Sequence, residues 1–117
     1  MSITFHFRPK ENLVICVHAG LTSGSEFLTS YKSLYKNHLF HTSMNRLIDL
    51  RQVEGSQVTI DSLRQLAEFV KGQEPSKGNT VKPKVAVIAP KDNVFNLTLK
   101  YEVYTKDIPW DFNIFHY

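Results

Sequence analysis

Cysteine occurs once, at Cys16, and tryptophan once, at Trp110, in a sequence of 117 residues. A single thiol excludes an intramolecular disulfide and any cluster of thiolate metal ligands, and it suits a reducing compartment. An excess of one charge sign is missing too: fourteen Lys and Arg stand against eleven Asp and Glu, a net charge of +3 scattered along the chain. Such a balance gives no electrostatic footprint for DNA or RNA, so no nucleic-acid partner is expected. No apolar run approaches the roughly 20 residues of a membrane span. The start, Met1-Ser2-Ile3-Thr4-Phe5-His6, lacks the charged residues and apolar core of a signal peptide. The expectation is a cytoplasmic protein with no membrane span, in which the acceptor-like triplet Asn96-Leu97-Thr98 has no glycosylation to direct. There is no internal repeat or low-complexity segment. What is present, 42% apolar, 12% aromatic and 21% charged residues, fits one globular domain over residues 1–117.

Ile3, Phe5 and Phe7 alternate with Thr4, His6 and Arg8, and beyond the turn-like Pro9-Lys10-Glu11-Asn12 runs Leu13-Val14-Ile15-Cys16-Val17-His18. This pattern predicts an antiparallel hairpin whose second member, apolar at nearly every position, is an inner strand covered on both faces. Gly20-Leu21-Thr22-Ser23-Gly24-Ser25 reads as a turn leading into a helix, with Phe27, Tyr31, Leu34, Tyr35 and His38 as its 3.6-residue stripe. Asn45 to Arg51 reads as a buried parallel strand, and Val53-Glu54-Gly55-Ser56 as the loop leaving it.

Thr59 suits the cap of a second helix, with Ile60, Leu63, Leu66, Ala67 and Val70 inward and Asp61, Arg64, Glu68 and Lys71 outward. Residues 72–84, rich in Pro, Gly and Lys, predict a flexible loop before the strand Val85-Ala86-Val87-Ile88-Ala89. Between Phe95 and Val103 apolar and polar residues alternate strictly, which argues strand, while Val94, Leu97, Thr98, Tyr101 and Tyr104 form a rival helical stripe. If Val85–Ala89 and Phe112–Phe115 are parallel neighbours, a crossover must join them, and residues 93–104 are expected to be that helix.

The order ββαβαβαβ, with Asn45-Arg46-Leu47-Ile48-Asp49-Leu50-Arg51-Gln52-Val53, a helix, and Lys84-Val85-Ala86-Val87-Ile88-Ala89-Pro90, resembles the bacterial SpoIIAA-like group of the STAS superfamily. The likeness covers most of the chain. It rests on the strand ending in Asp-Leu-Arg, the Lys-Val-Ala strand, and Asn93-Val94-Phe95-Asn96-Leu97 followed by Tyr101-Glu102, which in similar proteins belongs to a helix. The resemblance implies an α/β single domain, an N-terminal β-hairpin followed by alternating β/α units around one mixed sheet. It also implies a non-catalytic regulatory or protein-interaction module. Two departures bear on this. Similar proteins usually continue past the last strand into an apolar helix whereas this sequence stops at Tyr117, so one surface is expected to lack its cover and to meet a protein partner, a second copy included. Similar antagonists of anti-sigma factors carry a phosphorylated Asp-Ser-Ser-Gly turn, where this chain has Asp61-Ser62-Leu63. Ser62 is thus the candidate phosphosite, its plainer reading being an ordinary first-turn serine.

No Gly-x-Ser-x-Gly motif and no phosphate-binding loop with its Lys is present, and Cys16 lies mid-strand among apolar neighbours, so no catalytic residue and no cofactor is expected. His38 and His41 could share a helical face, but a third metal ligand is wanting and the dipole at a helix C-terminus suffices to favour them; no metal is expected. In parallel sheets ligands gather outside the carboxyl ends of the strands. Thr22, Ser23, Asp49, Arg51 and Lys91 lie at three such ends and form a candidate rim for an anionic group, unless Arg51 simply pairs with Asp49 or Asp92. Phe27, Tyr31, Tyr35, Trp110, Phe112 and Phe115 could line a pocket for a small apolar, lipid-like ligand, or could be plain core. The leading expectation is an interaction module; the alternative is a carrier of a small apolar or anionic ligand.

Overall fold

Strand β1 (Ile3–Arg8) turns Ile3, Phe5 and Phe7 inward and leaves Thr4, His6 and Arg8 exposed. A 3₁₀ turn, Pro9–Glu11, then reverses the chain. Its closing residue, Asn12, sits at φ 52°, a left-handed conformation that asparagine tolerates better than most residues. The Asn12 side chain donates to the Ser43 carbonyl and its own carbonyl accepts from the Asn45 amide, tying the turn to the third strand. The computed structural model describes residues 3–74, 82–90 and 93–116.

The remaining elements follow as β2 (Leu13–Ser23), α1 (Gly24–Lys36), β3 (Asn45–Gln57), α2 (Ile60–Gln73), β4 (Lys84–Ala89), α3 (Asn93–Tyr104) and β5 (Asp111–His116). They form a single α/β domain with one mixed five-stranded sheet in the order β1-β2-β3-β4-β5. Among the described residues only the β1–β2 pair is antiparallel. A Cα radius of gyration of 13.3 Å matches the roughly 13 Å of a compact chain of this length. Right-handed crossovers between sequential parallel strands all fall on the same side of a sheet. Accordingly α1 packs on α2 and α2 on α3 in one layer.

That layer covers one face only. Val14, Cys16 and His18 of β2 are buried beneath it, while Leu13, Ile15 and Val17 on the other face are half-buried and meet no helix among the described residues. The inner position expected for β2 therefore holds, but cover on both faces does not. Two expected loops are strand as well. Ala19 to Ser23 pair with Gln52 to Gln57, so β2 and β3 run on together beyond the rest of the sheet. The ladder shifts at Val17/Ala19 and at Gly20/Leu21, and Gly20, at φ +70°, supplies the backbone conformation such a bulge uses.

The anticipated cap of α2 forms, Thr59 Oγ1 accepting from the Ser62 amide, and within the segment read as a helix start Ser23 Oγ caps α1 by accepting from the Glu26 amide. Helix α1 ends at Lys36, so His38 lies outside it and is exposed. Helix α2 continues through Gln73, which shortens the expected loop at 72–84 from its start; most of the remainder lies outside the described residues. Residues 93–104 are helical. Crossover topology prevailed over alternation there: the helix buries Thr98 and half-buries Leu97 and Tyr101 of the helical stripe, and leaves Val103 of the alternating set 61% exposed.

Candidate functional site

Between the helix layer and the sheet, toward the carboxyl ends of the parallel strands, lies a cavity of about 100 Å³. The sheet supplies Ile48, Leu50, Val87 and Phe112 as its floor, α1 supplies Phe27 and Tyr31, and α2 supplies Leu63 and Leu66. Val94, Leu97, Thr98 and Tyr101 of α3 close the remaining side. The half-buried Val53, Val58 and Val94 stand at the end where β3 hands over to α2 and α3 begins. Periodicity explains the lining. Every second residue of a strand, and every third or fourth of a helix, faces the same side, and on this side those residues are branched aliphatics and aromatics.

Three polar groups interrupt this wall on β2 and α1. His18 is buried, and its Nε2 shares a 2.7 Å hydrogen bond with the Tyr31 hydroxyl. Burial lowers the His18 imidazole from 6.5 to about 4, against a smaller opposing pull from the Asp49 carboxylate. Burial likewise raises the Tyr31 phenol well above its ordinary range. Both groups are therefore neutral at pH 7. The third, Thr22, is 3% exposed, and its Oγ1 has no hydrogen-bond partner among the described residues. Thr98 Oγ1, by contrast, donates to the Val94 carbonyl of its own helix. No Asp, Glu, Lys or Arg lines the cavity among the described residues.

Of the five residues expected to rim an anion site, the four that are described do not come together. Thr22 faces the cavity, whereas the Ser23 hydroxyl is engaged in capping α1. Alternation along β3 places Asp49 and Arg51 on the side opposite Ile48 and Leu50. There the Asp49 carboxylate accepts from the Arg51 amide and from its Nε and Nη2 at 3.0, 3.0 and 2.9 Å. Those hydrogen bonds lower the Asp49 carboxyl below 3.8, outweighing burial, which raises it. Lys91 lies outside the described residues.

Of the six aromatics expected around a pocket, Phe27, Tyr31 and Phe112 line it. Phe115 is 54% exposed on the bare face. Tyr35 and Trp110 are at the opposite end of the strands, around a feature that sequence reasoning missed. The Arg46 guanidinium lies 5.0, 5.6 and 6.0 Å from the rings of Phe40, Trp110 and Tyr35. It donates twice to the Glu74 carboxylate, at 3.0 and 3.2 Å, and once to the Thr42 carbonyl at 2.7 Å. The signal was available: Arg46, Ile48 and Leu50 share one face of β3, so an arginine there had to be buried and had to find an acid.

Ser62 occupies the first turn of α2, its hydroxyl 3.1 Å from that of the capping Thr59. His38 and His41 are exposed, and His41 Nδ1 bonds Ser43 Oγ. Among the described residues no three His, Cys, Asp or Glu gather as metal ligands, and no helix is long and apolar enough to cross a membrane. No protein-family model matches the chain, and neither does any curated protein or solved structure.

Proposed function

We propose that the protein is a non-catalytic binding protein that takes up a small apolar molecule in the cavity between the helix layer and the sheet. The observation that carries this reading is the lining: an apolar wall drawn from β3, β4, β5 and all three helices, interrupted on β2 by His18 and Thr22, with no charged side chain among its described members. A cavity of roughly 150 Å³ lined by Leu, Ile and Phe stays dry and binds benzene, and at about 100 Å³ this one is of the same order. The polar residues support binding over chemistry. His18 is held neutral by burial and spends its Nε2 on Tyr31, and burial pushes the Cys16 thiol up to about 12, away from the thiolate a nucleophile needs.

Titration with toluene followed by amide and methyl NMR tests the reading. Shifts confined to cavity residues such as Leu66, Val87 and Leu97 are expected, with loss of binding in Leu97→Phe. Unchanged spectra at saturating toluene would overturn it.

A second reading, an interaction module of the SpoIIAA-like kind, is favoured by the sheet face that carries half-buried Leu13, Ile15, Val17, Leu47, Ala86 and Ile88 with no helix over them among the described residues. Apolar area of that kind suits a protein partner. Sedimentation at micromolar concentration tests the simplest case, pairing of two copies: a dimer that Ile15→Glu dissociates supports it, and a monomer rejects it.

A further inference from the structure

Resting on the apolar-cavity reading, we infer that the ligand is a small uncharged molecule carrying a carbonyl oxygen, which accepts a hydrogen bond from Nδ1–H of His18. His18 lies on the cavity wall and is only 6% exposed. Its Nε2 is spent on the Tyr31 hydroxyl at 2.7 Å. A phenol is a stronger acid than a neutral imidazole N–H, and an imidazole nitrogen is a stronger base than a phenol oxygen. Tyr31 therefore donates to Nε2, which leaves the one proton of the neutral ring on Nδ1. Nδ1 has no hydrogen-bond partner among the described residues, yet it is not sealed from contact as Thr22 Oγ1 and Arg46 Nε are. The other polar side chains of the wall offer less. Thr22 Oγ1 has no surface to present, and Thr98 Oγ1 donates to the Val94 carbonyl. Burial raises the Tyr101 phenol, and the charges that act on it are those of Arg46 and Glu74, so its hydroxyl turns toward their end of the strands. A charged headgroup would enter a wall with no counter-ion among the described residues, and burial of an unpaired charge is far costlier than burial of a neutral polar group. A wholly apolar ligand would leave the Nδ1 proton without an acceptor. A wall built to hydrogen-bond discriminates strongly against the analogue that lacks the group, whereas apolar walls discriminate weakly.

Cyclohexanone and methylenecyclohexane, which differ only in C=O against C=CH2, serve as probes beside toluene and cyclohexanecarboxylate, with the full chain and its His18→Phe, His18→Gln and Tyr101→Phe variants. Imidazole nitrogen NMR of the wild type is expected to show Nδ1 protonated. The His18 Nδ1–H resonance should move with cyclohexanone and much less with methylenecyclohexane, while cyclohexanecarboxylate does not bind. His18→Phe keeps a ring and loses both nitrogens; His18→Gln keeps a partner for Tyr31 at the place of Nε2 and none at that of Nδ1. In both, the cyclohexanone to methylenecyclohexane affinity ratio is expected to fall on the order of tenfold, the value of one neutral hydrogen bond. A ratio unchanged in both overturns the inference, as does a ratio lost in Tyr101→Phe, a wild-type proton on Nε2 in place of Nδ1, or carboxylate binding equal to that of the ketone. Should the His18 variants fail to fold, the wild-type Nδ1 response decides alone. In each overturning case toluene still binds and the apolar-cavity reading stands. If no probe binds, both fall together.

Discussion

Arg46 and Glu74, 28 residues apart in the chain, meet in a two-pronged ion pair whose side chains are only 5% and 2% exposed. Glu74 is the C-cap of α2 and Arg46 the second residue of β3, so the pair fastens the helix end to the amino end of the sheet. Tyr35 adds its hydroxyl to the same carboxylate.

Removal of either partner strands a charge in an aromatic setting, which typically costs about 3–5 kcal/mol. Urea denaturation at pH 7 should show losses of that order for Glu74→Gln and for Arg46→Met. The double variant Arg46→Met/Glu74→Leu should lose less than the sum of the two. Additive losses in the double-mutant cycle would show the pair to be uncoupled.

Acid should weaken the fold through His18. The unfolded imidazole titrates near 6.5 and the buried one near 4, so between those values the unfolded chain holds the extra proton. This contribution is complete above pH 6.5 and is lost as pH falls to 4, a change of about 3 kcal/mol. Cys16 and Tyr31, its near neighbours, stay protonated throughout, and Asp49 stays ionised over most of that window. Stability measured against pH should therefore slope between 6.5 and 4 in the wild type and flatten in His18→Phe.

The Cys16 thiol should resist a disulfide reagent in the native state and react at the rate of unfolding. It is 1% exposed, and burial holds it up to about 12. Rapid labelling at neutral pH without denaturant would contradict this.

Arg51→Ala should raise the Asp49 pKa, since the hydrogen bonds of Arg51 are the largest cause of its lowering. Carboxyl NMR titration reads this directly. The stability that Asp49 contributes is present above its unfolded value of 3.8 and is lost as pH falls through the lower native one, so the variant should lose it at a higher pH.

The element order, the Thr59 cap, the helix start after Gly20–Ser25 and the helix at 93–104 were legible because each rests on local chemistry or on a rule of connection. Ser23 and Thr59 are hydroxyls placed just before apolar stripes, and two parallel strands require a crossover. The extension of β2 and β3 was not legible. Gly20 and Gly55 punctuate the sequence like turns, and only the partnership of the two segments makes them strands. Which side of the sheet Thr22 takes was hidden for the same reason, since it is set by a ladder that shifts twice on the way to it. Of the described rim residues, Thr22 lines the cavity while Asp49 and Arg51 pair on the other side of the sheet, an arrangement set by strand alternation.

The cavity draws its wall from β2, β3, β4, β5 and all three helices. It therefore comes into being only when the last crossover, α3 and β5, has closed on the rest. Its occupant would bind the finished fold and no fragment of it, adding RT ln(1 + [L]/Kd) to global stability. If the cavity is filled, amide exchange in the deepest residues of the sheet should slow in step with occupancy.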